Sequence, residues 1–130
     1  MLRLLIILKL RFSEPSLHLT QSNPSATLIT YPSAFTVPTG KAHWLPLLQA
    51  RAIECQSYVV AAAQVGQHNE KRASYGHSMV IGPWGDVKVE LGGEWNGEPV
   101  LGICEMNIDE VDNVRKQIPL RRRWDVYGRC

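Results

Sequence analysis

One hundred and thirty residues are enough for one domain with a single modest core. An apolar share of 45% with 20% charged residues excludes a disordered chain, and a net charge of +2 is too small to argue for a nucleic-acid partner. The basic run Arg121-Arg122-Arg123 is local and reads as a solvated tail, not as a nucleic-acid or membrane patch.

The three cysteines, Cys55, Cys104 and Cys130, are odd in number and lack metal-ligand spacing, which predicts reduced thiols in the cytoplasm, with mitochondria also fitting. His18, His43, His68 and His77 lack ligand spacing too, so neither a metal nor a cofactor is expected. The apolar run near the N-terminus is short, is interrupted by Lys9 and Arg11, and is followed by no small-residue cleavage site, unlike a signal peptide. No stretch is long enough to cross a bilayer.

In chain order, residues 3–8 form a continuous apolar run whose shortness favours a strand covered on both faces. Ser13 can cap a helix with Glu14 and Pro15 in its first turn, running to about Asn23-Pro24. ATLITY (26–31) reads as a second strand, and PSAFTVPTGK (32–41) as a loop at its carboxyl end. The clearest helix spans about 42–56, with Trp44, Leu47, Leu48, Arg51, Ala52 and Cys55 on one face and Pro46 tolerable only in an opening turn.

SYVVAAA (57–63) predicts a buried strand and QVGQHNEKRASYG (64–76) a polar loop. Strands 77–81 and 87–91 flank the turn GPWGD, and a further strand is expected at 100–106. The last helix is expected to start at Asp109 as N-cap, with Val111, Val114 and Ile118 on one face, and to end at Pro119. Early strand–helix alternation asks for parallel pairing and the later hairpins for antiparallel pairing, so the fold class is α/β with a mixed sheet.

Three blocks, YPSAFTVPTGKAHW (31–44), LLQARAIECQSYVVAAAQVG (47–66) and RASYGHSMVIGPWGDV (72–87), with the tail NIDEVDNVRKQIPLRRRWDVYG (107–128), resemble the carbon–nitrogen hydrolase (nitrilase) superfamily. The likeness is closest to the amidase branch that includes deaminated glutathione amidase. It implies an α-β-β-α sandwich, of which this chain is expected to be the C-terminal half. Residues 1–130 would form one partial domain, matched over about 10–128, with 119–130 as a C-terminal tail.

The resemblance also implies hydrolysis of a non-peptide C–N bond in a small amide. A cysteine attacks, a glutamate acts as general base, and a lysine stabilises the tetrahedral intermediate. The nucleophile belongs to a Cys-Tyr-Asp-x-Arg-Phe-Pro-Glu pattern. Arg11, Phe12 and Glu14 match its end, whereas Ile7, Leu8 and Lys9 stand at the cysteine, tyrosine and aspartate positions. Base and lysine belong to an earlier part of the family domain, so no catalytic residue is expected to be retained. A truncated or alternatively started amidase is one reading. A non-catalytic protein that forms homo-oligomers or pairs with a full-length relative is the other.

By the same resemblance Arg11, Glu14, Tyr31, Ser33, Phe35, His43, Arg51 and Glu54 border the pocket or support it. Tyr31, Ser33, Ala34 and Phe35 follow a strand's carboxyl end, where they are either a vestigial pocket wall or plain loop packing. Arg51 and Glu54 suggest a buried ion pair that orients a loop. Cys55 and Cys104 read as packing groups, and His43 and His77 as hydrogen-bonded structural groups. Gly76, Ser78, Pro83 and Gly85 read as residues chosen for backbone geometry.

Overall fold

The computed structural model describes residues 2–4, 10–121 and 123–127. A five-stranded mixed sheet has the order β1 (Leu2–Leu4), β2 (Leu28–Thr30), β3 (Tyr58–Ala61), β6 (Met79–Ile81), β7 (Val87–Glu90). The first three strands run parallel and the last two pair antiparallel, the mixture that the element order predicts. Of the expected strand at 3–8, Leu2–Leu4 forms β1; Ile7, Leu8 and Lys9 lie outside the described residues.

Helices α1 (Glu14–Gln21) and α2 (Val37–Cys55) cover one face of this sheet. Registered neighbours Ile29, Val59 and Ile81 bury their side chains there against Trp44, Leu48, Ala52 and Cys55 of α2. The predicted apolar stripe of α2 is therefore the core stripe, with Leu47 packed at its margin.

The start of α2 differs from expectation. It begins at Val37, five residues before Ala42, because Pro38 sits in the first turn, where a missing N–H costs nothing. Residue 40 is a glycine inside the helix because the Tyr75 ring lies where a Cβ would be, 2.2 Å from the nearest ring atom. Pro46 stands inside the helix, not in its opening turn. Ala42, whose carbonyl loses its i+4 donor, lies on the exposed face, where water can satisfy it. The helix ends on Gln56 in the left-handed region (φ 47°), and the Gln56 side chain donates to the Ile118 carbonyl at 2.7 Å.

Two other expectations fail. Residues 64–76 are no loop: they form the hairpin β4 (Val65–Asn69) and β5 (Arg72–Tyr75), a separate two-stranded sheet. Its polarity hid it, since most of β4 is wet and no apolar alternation marks it. The expected strand at 100–106 is absent, and its apolar side chains stay in solvent, with Leu101 and Ile103 each 82% exposed. Nothing buries them, so the drive toward strand pairing is missing.

The GPWGD turn closes as predicted, with Gly82 N–H donating to the Asp86 carbonyl at 2.8 Å. The preceding strand starts at Met79, not His77. Helix α3 (Ile108–Gln117) is capped by Asn107, whose Oδ1 accepts from Asp109 N–H at 2.9 Å; Asp109 is not the cap but sits in the first turn. Val111 and Val114 are buried, but Ile118 leaves the helical path and is 43% exposed. A short α4 (Trp124–Tyr127) follows.

Candidate functional site

Strands β1, β2 and β3 run parallel, so their carboxyl ends share one edge, the edge at which α/β sheets present ligand-binding loops. The loop after β2 is held there as a stave. Ser33 N–H donates to the Ala62 carbonyl (2.8 Å), Gln64 N–H to the Ser33 carbonyl (2.9 Å) and Tyr75 N–H to the Phe35 carbonyl (2.9 Å). Tyr31 and Ser33 are buried within it. The Tyr31 hydroxyl pairs with Ser16 Oγ of α1, and burial pushes the phenol from its ordinary 10.0 up to about 12. Ser33 Oγ donates to the Tyr31 carbonyl at 3.2 Å, so neither hydroxyl is a ready nucleophile.

Phe35 ends the stave and meets two neighbours. Its ring packs against Trp44 with centroids 4.9 Å apart, and the Arg11 guanidinium lies over it, 5.3 Å from the centroid. Arg11 also reaches His43 Nδ1 at 3.4 Å. A guanidinium can only donate, so Nδ1 accepts and the His43 proton sits on Nε2. Beneath Arg11, the buried Arg51 donates through Nε to the Leu10 carbonyl (3.1 Å) and through Nη1 to Glu54 Oε2 (2.8 Å).

The structure thus gathers Arg11, Phe35 and His43, with Arg51 fixing the backbone just ahead of Arg11. The Arg51–Glu54 pair is not buried as a pair: the arginine side chain is 7% exposed and the glutamate 41%, because the carboxylate ends on the outer side of α2. Glu14 stands apart, exposed in the first turn of α1, with no hydrogen bond or ion pair among the described residues. Cys55 belongs to the core, and Cys104 is half-buried in the irregular segment after β7. The group offers the exposed positive charge of Arg11, held over a Phe35 ring that is itself buried, to an anionic or carbonyl-bearing ligand, and it contributes no thiol.

A second feature was read as structural in the sequence and proves richer. A cleft of about 810 Å³ opens beside the β4–β5 hairpin, and His77 and Tyr75 line it. Their rings stack with centroids 4.1 Å apart. His77 adopts a left-handed backbone (φ 56°), unusual for a residue with a side chain, and three groups hold it there. Its carbonyl accepts from Trp44 Nε1 (2.7 Å), its N–H donates to the Gly92 carbonyl (3.3 Å), and its Nδ1 meets Glu90 Oε1 at 2.9 Å. A carboxylate only accepts, so Nδ1 carries a proton. The Gly76-His77 step in an otherwise strand-like stretch was the available signal.

Among the described residues no three His, Cys, Asp or Glu side chains are placed to hold a metal ion, and no helix is long and apolar enough to cross a membrane.

Sheet order, flanking helices and this carboxyl-edge site define a nitrilase-type fold, and the family model for carbon-nitrogen hydrolases matches residues 2–116. The chain belongs to the carbon–nitrogen hydrolase family. Over 121 residues it is 50% identical to the human (Homo sapiens) deaminated glutathione amidase, covering 92% of this chain and 35% of that protein. Over 122 residues it is 49% identical to the probable hydrolase nit2 of Schizosaccharomyces pombe, covering 94% of this chain and 43% of that one. Among solved structures, the Caenorhabditis elegans NitFhit protein superposes with a TM-score of 0.85 at 45% identity, covering 97% of this chain and 30% of its own. The chain therefore spans less than half the length of these relatives.

Proposed function

We propose that this chain supplies the substrate-facing wall of a nitrilase-type amidase fold shaped for a small non-peptide amide of the deaminated-glutathione kind, and that alone it does not hydrolyse that amide. The observation that carries the reading is the Arg11–Phe35–His43 group at the carboxyl edge of the parallel strands, whose Arg11 follows Ile7 by four residues. In the family pattern Ile7 stands where a thiolate attacks, and a hydrocarbon side chain cannot form the acyl-enzyme. Lys9, two positions before Arg11 in sequence, stands where the pattern has an aspartate. Relatives named as amidases and hydrolases support the substrate class.

The test is an amidase assay of the purified chain with a deaminated-glutathione-type amide. No turnover is expected. Turnover that scales with protein and survives Cys55→Ala, Cys104→Ala and removal of Cys130 would overturn the proposal.

A second reading is a non-catalytic binding protein that pairs with a full-length relative or with itself, in a reducing cytoplasmic setting. Exposed apolar residues favour it: Val100 (64%), Leu101 (82%), Ile103 (82%) and Ile108 (61%) lie close together in sequence. A compact, stable monomer in sedimentation analysis would remove its basis.

A further inference from the structure

The cleft beside the hairpin has a chemistry of its own. Its volume of about 810 Å³ falls among small-molecule pockets, which measure about 300–1,000 Å³. Glycines make its shape. A Cβ on Gly93 would lie 2.5 Å from His77 Nε2, and one on Gly66 would lie 3.2 Å from Trp95 Cβ. The stacked Tyr75 and His77 rings are thereby set into the wall, and Trp95 rests on the hairpin, 56% exposed.

Charge is divided within it. The segment after β7 brings Glu94, Trp95 and Glu98 to the lining of this one cleft, the two acids flanking Trp95 in sequence. Lys41, in the second turn of α2, brings the opposite charge. None of these three side chains forms an ion pair among the described residues, although all line one cleft.

An indole face with carboxylates lining the same cleft suits an ammonium or guanidinium, and an uncommitted ammonium suits a carboxylate. We infer that the cleft binds a small zwitterion of the amino-acid type, its cationic end over Trp95 between Glu94 and Glu98 and its carboxylate on Lys41. This site does not depend on the amidase reading: it needs neither the Arg11–Phe35–His43 group nor any catalytic step.

The experiment titrates the full chain with L-arginine, with agmatine (the same cation without the carboxylate) and with glutarate. Calorimetry gives the affinities, and the Trp95 indole N–H resonance reports the place. L-arginine is expected to bind saturably and move that resonance, agmatine to bind more weakly, and glutarate to bind least. Trp95→Ala and Glu98→Gln should each weaken L-arginine by about fivefold or more. Lys41→Ala should weaken L-arginine to the level of agmatine while leaving agmatine unchanged. All three positions are exposed, and circular dichroism checks that the variants fold. Absence of saturable binding, or L-arginine affinities unchanged in Lys41→Ala and Glu98→Gln, would overturn the inference.

Discussion

The two sides of the molecule use apolar residues in opposite ways. Under α2, Trp44, Leu48, Ile29, Val59 and Ile81 are sealed, each at 1% exposure or less. After β7, the segment 100–108 is as apolar in composition, yet its largest side chains lie in water. Apolar composition alone does not order a segment; a facing surface does. Where α2 supplies one, three-residue strands hold register, and where none is supplied an apolar run stays irregular.

Breaking the sealed side should have the largest effect. Trp44→Ala removes the ring that touches Phe35 and donates to the His77 carbonyl, and should cost about 3–5 kcal/mol in urea unfolding. Next comes the half-buried ion pair. Arg51→Ala should cost about 2–3 kcal/mol, since it strips the Leu10 carbonyl of a charged donor, whereas Glu54→Gln should cost under about 1 kcal/mol. Equal losses in the two variants would show that the pair, not the backbone contact, matters.

Alkaline pH sharpens the comparison further. Burial raises the Tyr31 phenol from 10.0 to about 12, so the folded state holds this proton more tightly than the unfolded one. That contribution is complete below pH 10 and is lost as the pH climbs from 10 to about 12. Tyr58 is raised in the same sense, by burial and by its hydrogen bond to Glu110. Stability measured across this range should fall, and Tyr31→Phe should make the decline shallower, leaving the part due to Tyr58. The smallest effect belongs to the exposed side. Leu101→Asp and Ile103→Asp should change stability by no more than about 0.5 kcal/mol. A larger loss would mean that these side chains are covered in solution.

How much of this was legible in the sequence follows the same physics. The α2 stripe was readable because burial leaves a three-four pattern, and the mixed sheet because element order limits topology. The β4–β5 hairpin was hidden, since β4 is mostly wet, β5 buries only a polar Ser74, and its order comes from backbone pairing and an Asn69 turn. The early start of α2 was hidden because Gly40 looks like a loop residue until the Tyr75 ring is seen against it. At the candidate site, the resemblance set Arg11, Phe35 and His43 among eight residues bordering or supporting the pocket, without pairing them. It could not tell that Glu14 stands aside, nor that His77 is clamped by contacts arriving from three segments.

Helix α3 is stitched to distant parts of the chain. Arg115 reaches the Ala26 carbonyl and Ser57 Oγ, Glu110 receives the Tyr58 hydroxyl, and Lys88 bridges to Glu110 at 3.1 Å. Every one of these anchors lies in or beside a strand laid down earlier in the sequence. The seat of this helix therefore exists only where those strands are in place. Its amide protons should exchange before those of the sealed α2, making α3 a clasp that opens before the core does.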